Sequence, residues 1–356
     1  MLRRFGLPVA LSIAAACGGP STSVASPSPV PSIAAPSGPA ESANDRMARL
    51  YEAAKAEKQV NWYSSLNTED AKVIIPKFET KFPGVKVEHT RSTGEQLVTR
   101  LFTEIKSGQF LFDVFDSSSF QVKQVVDAGF TQPYRVASVA DIPKEGTDDK
   151  DTWIANRGVP LAIGFNTAKG VKPGDIKGWA DLCDKKYEGK IAVEIGDTVV
   201  YSALRKGLGE AEAQRILKCV AANKPSLRQG HTEIDNLLPA GEFSVTFASH
   251  SYRLAALKYE KNQPVDWVKD TIIMDLAGAA LAAKPPHPNA AKLFMEWMVS
   301  PEGQLAVTGT GRPAASTKTT LKYPDVIGDK RIYVTVDLQK DFERDDQFWR
   351  LTFGIK

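Results

Sequence analysis

Between Gln59 and Ser119 short apolar runs alternate with amphipathic ones, and that alternation narrows the choice of folds more than any other feature of the 356-residue chain. "QVNWY" reads as a strand, "NTEDAKVIIPKFETKF" as a helix and "VKVEHT" as a second strand. "GEQLVTRLFTEIKSG" follows as a second helix, and "FDVFDSSS" as a third strand running into a polar loop. In the first helix Ala71, Ile74, Ile75, Phe78 and Phe82 recur at the spacing of one apolar face. Thr68 is expected to cap that helix and Pro76 to kink it. Leu97, Leu101 and Ile105 form the apolar face of the second. The order βαβαβ implies a parallel sheet covered by helices, because parallel neighbours need a crossover long enough to hold one.

The second half repeats the theme without a strict internal repeat. "KIAVEIG" is read as a strand and "TVVYSALRKGL" as its helix, with "EAEAQRILKCVAANK" and "TEIDNLLPAG" as further helices. "FSVTFAS" and "PVDWVKD" are read as strands around the helix "SYRLAALKYEKN", and "NAAKLFMEWMVSPEGQLAV" as a late helix pair.

Parallel α/β sheets bind ligands outside the carboxyl ends of their strands. Here those ends are the loops "YSSLNT", "TRSTG", "DSSS", "EIGDT" and "ASHSY". They supply the candidate ligand-binding residues Ser64, Ser65, Asn67, Arg91, Ser92, Thr93, Ser117, Ser118, Asp197, Thr198, Ser251 and Tyr252. A Ser or Thr alone in such a loop says little, because both cap helices and bond locally. Together the loops describe a polar, two-sided site. "RSTGEQL", with Arg91 beside it, and "GDTVVYS" each begin a helix, and free backbone N–H groups there hold anions. A small ligand rich in oxygen, with a carboxylate or phosphate, fits.

Other chemistries lack their residues. The four histidines, His89, His231, His250 and His287, are scattered, and no local motif offers metal-ligand spacing. His287 in "KPPHPNAAK" reads as plain surface. There is no G-x-S-x-G elbow, and Gly309, Gly311 and Arg312 in "TGTGRPAAS" make neither a phosphate loop nor a dinucleotide fingerprint. The chain is therefore read as a binder and not an enzyme, with no cofactor. A formal charge of +3 without a basic stripe argues against a nucleic-acid partner.

The first residues read as an export signal over 1–16: "MLRR", then an apolar run too short to span a bilayer. Its end, "AAAC", resembles a lipobox, so Cys17 is expected to carry a lipid that anchors the protein to a membrane. Ordinary signal cleavage is the alternative, since Ala14 stands where Leu is favoured. Residues 17–45, rich in Pro, Ser, Ala and Gly, read as a disordered tether. Cys183 and Cys219 then remain; an oxidising compartment permits a disulfide between them, two separate thiols being the alternative.

From about Tyr51 to Ile332 the chain resembles the bacterial extracellular solute-binding proteins of ABC transporters. The resemblance lies in the order and spacing of "VNWYSSL", "FPGVKVE", "SGQFLFDVFDSSS", "LAIGFNT", "WADLCDKKYEGKIAV", "LLPAGEFSVTFASHSY" and "WMVSPEGQ". The subgroup is similar to the ferric-ion-binding proteins and their organic-ligand relatives. That implies an α/β, two-lobed type II periplasmic-binding fold, monomeric, placed in the periplasm or at the cell surface and docking to a membrane permease. Lobe 1 would take 46–158 and 273–325, and lobe 2 would take 159–272 and 326–356, with "VPLAIGFNT" and "TIIMDLAGAALAA" as crossing strands.

The resemblance also implies where a ferric ion would bind. The tyrosine pair of that subgroup falls at Ser251 and Tyr252, its histidine at about Asn67, its glutamate at about Ser118. Only Tyr252 keeps a ligand of that set, and Fe³⁺ demands anionic oxygens. The expected cargo is a small anionic organic solute such as a carboxylate, sugar phosphate or phosphonate, with iron or an iron chelate as the alternative. Ser251 and Tyr252 are read as a hydrogen-bonding wall of the cleft, His250 and Arg253 as facing away.

Overall fold

The computed structural model describes residues 41–355, so the signal, Cys17 and the tether up to residue 40 lie outside the described residues. The chain begins with α1 (Ala43–Glu57), β1 (Gln59–Ser64), α2 (Thr68–Lys81), β2 (Lys86–Arg91) and α3 (Gly94–Lys106). There follow β3 (Val114–Ser117), α4 (Ser119–Asp127), β4 (Thr131–Gln132), β5 (Ile154–Ala162) and β6 (Gly164–Asn166). The middle holds β7 (Ile191–Glu194), α5 (Thr198–Leu208), α6 (Glu210–Ala222), β8 (Ser226–Arg228) and α7 (His231–Ala240). Next are β9 (Val245–Thr246), β10 (Ser249–His250), α8 (Ser251–Tyr259), β11 (Val265–Trp267) and β12 (Thr271–Ala282). The chain ends with α9 (Pro288–Val299), α10 (Pro301–Gly309), β13 (Lys330–Val334) and α11 (Phe342–Phe353).

The strands form two sheets. The larger runs β10-β5-β12-β3-β1-β2, with β4 and β13 also paired to β12. Its β1, β2 and β3 are parallel, as the βαβαβ pattern requires, while β12 runs antiparallel to both β3 and β5. The smaller runs β11-β6-β9-β7-β8, with β7 parallel to β8 and β9. Ile163, Phe247–Ala248 and Val268–Asp270 are the short connections that carry the chain between sheets. Most of the core gathers on one sheet or the other, but Leu161 of β5 and Ile273 of β12 join the cluster on the smaller one. Trp62, Phe78, Phe294 and Trp297 pack on the larger, Phe78 meeting Phe294 edge-on at 5.1 Å. Tyr201, Phe247 and Trp349 pack on the smaller.

Several expectations change. Helix α1 starts at Ala43, with Ser42 accepting from the Asp45 amide, so the last residues assigned to the tether are ordered. Asn67, not Thr68, caps α2, and Pro76 sits within that helix without ending it. "FSVTFAS" is not one strand: β9 pairs in the smaller sheet and β10 in the larger. "VPLAIGFNT" does cross, from β5 to β6, but "TIIMDLAGAALAA" stays wholly in the larger sheet as β12, the crossing falling just before it. His287 is committed to structure, its ring Nδ1 lying 2.8 Å from the buried Asp113 carboxylate. Cys183 and Cys219 are joined as a disulfide, their Cα atoms 5.1 Å apart, tying the turn before β7 to α6. No helix among the described residues is long and apolar enough to cross a membrane.

Candidate functional site

A cleft of about 690 Å³ opens where the carboxyl ends of the strands of the larger sheet meet the starts of α7 and α8. Ser65, Arg91 and Ser118 line it from the ends of β1, β2 and β3. Arg157 and Val159 alternate along β5, and Asp275 and Ala277 along β12, so one pleated face supplies four more lining residues. Gln229, Gly230, His231, Thr232, Glu233 and Asn236 come from the segment that opens α7, and His250 and Tyr252 from the start of α8. Arg312 reaches in from the loop after α10. The N-cap residues of α2, α4, α7 and α8, namely Asn67, Ser118, Gly230 and His250, all line this space. Positive helix ends therefore converge on it.

Two buried arginines set its character. Arg157, 3 % exposed, donates through Nη1 to Asp116 Oδ1 (2.5 Å) and Asn156 Oδ1 (2.9 Å), while its Nε has no partner among the described residues. Asp116 is fully buried and is held in turn by Asn156 Nδ2 at 2.7 Å. The pair meets across β12 because the residues in register there, Ala277 and Ala279, are small. Arg312, 7 % exposed, donates from Nε to Asp70 Oδ2 at 2.5 Å, and its guanidinium carbon lies 4.4 Å from the centre of the Tyr252 ring. Asp70 is fixed by Asn67, which donates to the carboxylate (2.9 Å) and accepts the Asp70 amide (2.7 Å). In each case a buried carboxylate occupies one edge of the guanidinium, and no protein acceptor among the described residues takes Nη2 of Arg157 or either terminal nitrogen of Arg312.

The remaining lining groups are tuned by burial. Burial works against the charged imidazole of His231, but Asp197, at 2.8 Å from Nε2, together with Glu194 and Asp235 raises the group to about 9. Burial pushes His250 down to about 4, against the pull of Asp235 at 3.1 Å. Burial also raises the Tyr252 phenol to about 12, with Arg312 opposing. Asp275 is raised by burial too, although it accepts Ser119 Oγ at 2.7 Å and faces Arg157.

Of the residues expected from sequence, Ser65, Asn67, Arg91, Ser118 and Tyr252 line the cleft. The others have structural partners or stand aside. Ser64 is fully buried and accepts the Leu66 amide at 3.0 Å. Ser117 lies beneath Gly94, where any Cβ would fall 2.6 Å from its Oγ. Ser92 bonds Gln96, and Thr93 caps α3. Thr198 donates to Asp346 at 2.6 Å, on the side of α11. Ser251 is fully buried and donates to the Val326 carbonyl, so it is not part of the wall. Asp197 does not itself line the space but holds His231, which does. His250 faces the cleft, contrary to expectation, whereas Arg253 is not among the lining residues and pairs with Asp235 and Asn236. Arg157, Arg312, His231 and Asp275 were missed. Arg157 had left a signal: an arginine inside "IANRGVPLA" is costly in a buried strand unless paired and used.

A two-sheet α/β protein with a polar cleft at its strand ends and sheet-to-sheet crossings is a ligand-capturing protein by architecture. Residues 110–337 match the bacterial extracellular solute-binding proteins, and the chain belongs to that family. Iron-bound HitA from Pseudomonas aeruginosa is similar in structure, with a TM-score of 0.71 and 18% identity, over 83% of this chain and 99% of that one. A Trichodesmium protein (IdiA, FutA) in complex with iron and citrate gives a TM-score of 0.69 and 20% identity, over 84% of this chain and 100% of that one. The substrate-binding protein of an ABC transporter from Agrobacterium tumefaciens gives 0.73 and 16%, over 83% and 94%. The fold they share is the two-lobed periplasmic binding protein.

Proposed function

We propose that this chain is the substrate-binding component of an ABC transporter, a monomer held outside the cytoplasm through a lipid on Cys17, and that it presents a small oxygen-rich anion to a membrane permease. The observation that carries the reading is the pair of buried arginines, Arg157 and Arg312, each pinned on one edge by a carboxylate and free on another toward the cleft. A guanidinium held this way matches a carboxylate or phosphate with little ordering cost. Arg91 adds a further cation at the rim, against Glu233 and Asp275 as the lining acids. Binding without turnover is the activity expected of such a site.

A second reading is ferric iron carried as a chelate. Two of the similar structures are described with iron, one of them with citrate as well. The cleft here brings Asn67, Ser118 and Tyr252 together at positions that resemble an iron-ligand set, but only Tyr252 has a suitable donor. Iron would then arrive with its own oxygen ligands, and the arginines would hold the chelator. Both readings use the same two cations.

Calorimetry of the ligand-stripped full chain separates them, with citrate, sugar phosphates and phosphonates offered metal-free and citrate offered also as its ferric complex. A solute at 100 times its dissociation constant adds about 2.7 kcal/mol of stability, so melting temperature provides a parallel readout. Arg312→Gln should cost about 1.5–3 kcal/mol of binding, roughly tenfold or more, as expected for a lost charged hydrogen bond. Tight binding of a metal-free anion supports the first reading. Binding only of the ferric complex, with a visible tyrosinate band absent in Tyr252→Phe, supports the second. Full affinity in Arg312→Gln and Arg157→Gln sinks both.

A further inference from the structure

At the end of β7 the chain makes a tight turn into α5, and three side chains from two separate segments gather there: Glu194, Asp197 and His231. One potential ligand atom from each lies within 4.8 Å of the other two. We propose that they form a site for a divalent first-row transition metal, built into the wall of the cleft and separate from Tyr252.

The behaviour of Asp197 is the strongest reason. It occupies the N-cap of α5, where an Asp ordinarily accepts an amide of its own helix, yet it makes no such bond. Its carboxylate turns instead to His231, with Oδ1 2.8 Å from Nε2. The residue is 2 % exposed, and Oδ2 has no hydrogen-bond partner among the described residues. Leaving a buried carboxylate oxygen unpaired is costly, and nothing about the local turn requires it. His231 repeats the pattern, its Nδ1 also buried and without a partner.

Glu194 is oriented as a ligand is. The Gly196 amide donates to Oε2 at 2.6 Å and the Gly230 amide to Oε1 at 2.8 Å, which fixes the carboxylate while leaving a lone pair on each oxygen. Outer hydrogen bonds of this kind position ligands and tune the metal. One imidazole with two carboxylates suits Zn²⁺, Mn²⁺ or Co²⁺ better than Ca²⁺ or a thiophilic ion. Three protein ligands leave a coordination position open. His231 and Gly230 line the cleft, so that position faces it. A solute oxygen would complete the sphere there, a last step that rests on the anion reading above.

Co²⁺ titration into the chelator-treated full chain tests the site, followed by calorimetry and by the visible d–d absorption of bound Co²⁺. One equivalent should bind, with bands that Zn²⁺ competes away. Asp197→Asn and His231→Gln should each weaken binding roughly tenfold or more, while Tyr252→Phe leaves it unchanged. Glu194→Gln, which keeps the side chain's size and an acceptor for one of the two backbone amides, provides a third variant if Asp197→Asn melts early. Absent binding, binding unaffected in all three ligand variants, or binding lost in Tyr252→Phe would overturn the proposal. Co²⁺ binding without any affinity for anions would leave the metal site standing and remove the solute reading. Anion binding without Co²⁺ would do the reverse.

Discussion

Arg312 and Asp275 bring opposite charges to the lining of the cleft, which can be altered one charge at a time through them. Arg312 is held by Asp70 and the Tyr252 ring, so its charge is already compensated before a ligand arrives. Asp275 is the buried acid on β12. Burial raises its carboxyl above the ordinary 3.8, despite the Ser119 bonds and the nearby Arg157. A carboxyl raised on folding favours the folded state while it is protonated. That contribution is present below its unfolded value and is lost as pH rises through the folded one. Asp275→Asn keeps an acceptor for Ser119 and removes the buried charge. It should therefore melt higher than the parent at pH 7, with the difference shrinking as pH falls through the raised folded value and gone once it is below the unfolded 3.8, in parallel thermal melts. The same variant removes one of the acids lining the cleft and should tighten binding of an anion. A lower melting temperature at pH 7 would mean that the charged carboxylate is needed by Arg157.

Strand β12 shows what the sequence could and could not convey at the level of elements. Its 12 residues are buried from Ile272 onward on both faces, so no alternation marks a cleft side, and "TIIMDLAGAALAA" could be read only as apolar. The amphipathic α2 and α3 kept one polar face each, which is why the βαβαβ order and the loops after β1, β2 and β3 were legible, and with them Ser65, Arg91 and Ser118. Strands of two residues, β9 and β10, fall below any readable period. Arg157 and Arg312 belong to a strand face and a late loop, so only the pairing of β5 with β12 and the return of the chain past α10 bring them to the cleft. At Gly278 the fit is tight. A Cβ there would lie 2.6 Å from the Ile154 carbonyl oxygen and 2.7 Å from the Trp153 ring, beside the register shift at Ala277/Gly278. The first neighbour is backbone and cannot swing aside. Gly278→Ala should cost about 1–3 kcal/mol, the range for overpacking a filled interior, measured as a lower denaturant midpoint with an unchanged slope.

On the scale of the whole molecule, function depends on how the two sheets are joined. Three short connections and the longer passage through α8, from β10 to β11, link them, while the cleft takes residues from both: Arg157 and Asp275 from the larger sheet, and Gly230 and His231 from the segment after β8 of the smaller. A solute touching both walls has more contacts in a closed arrangement than in an open one, and a ligand shifts such an equilibrium only by that difference in affinity. Hinge closure is the expected response. Solution X-ray scattering should then record a smaller radius of gyration when the full chain is saturated with the anion found by calorimetry. Arg312→Gln should reach the same compact value, but only at roughly tenfold or more higher solute, because the charged contact sets affinity and the connections set the end state. Should saturation seen by calorimetry leave the scattering curve unchanged, the cleft is already in its binding shape, and recognition by the permease would have to depend on the solute itself.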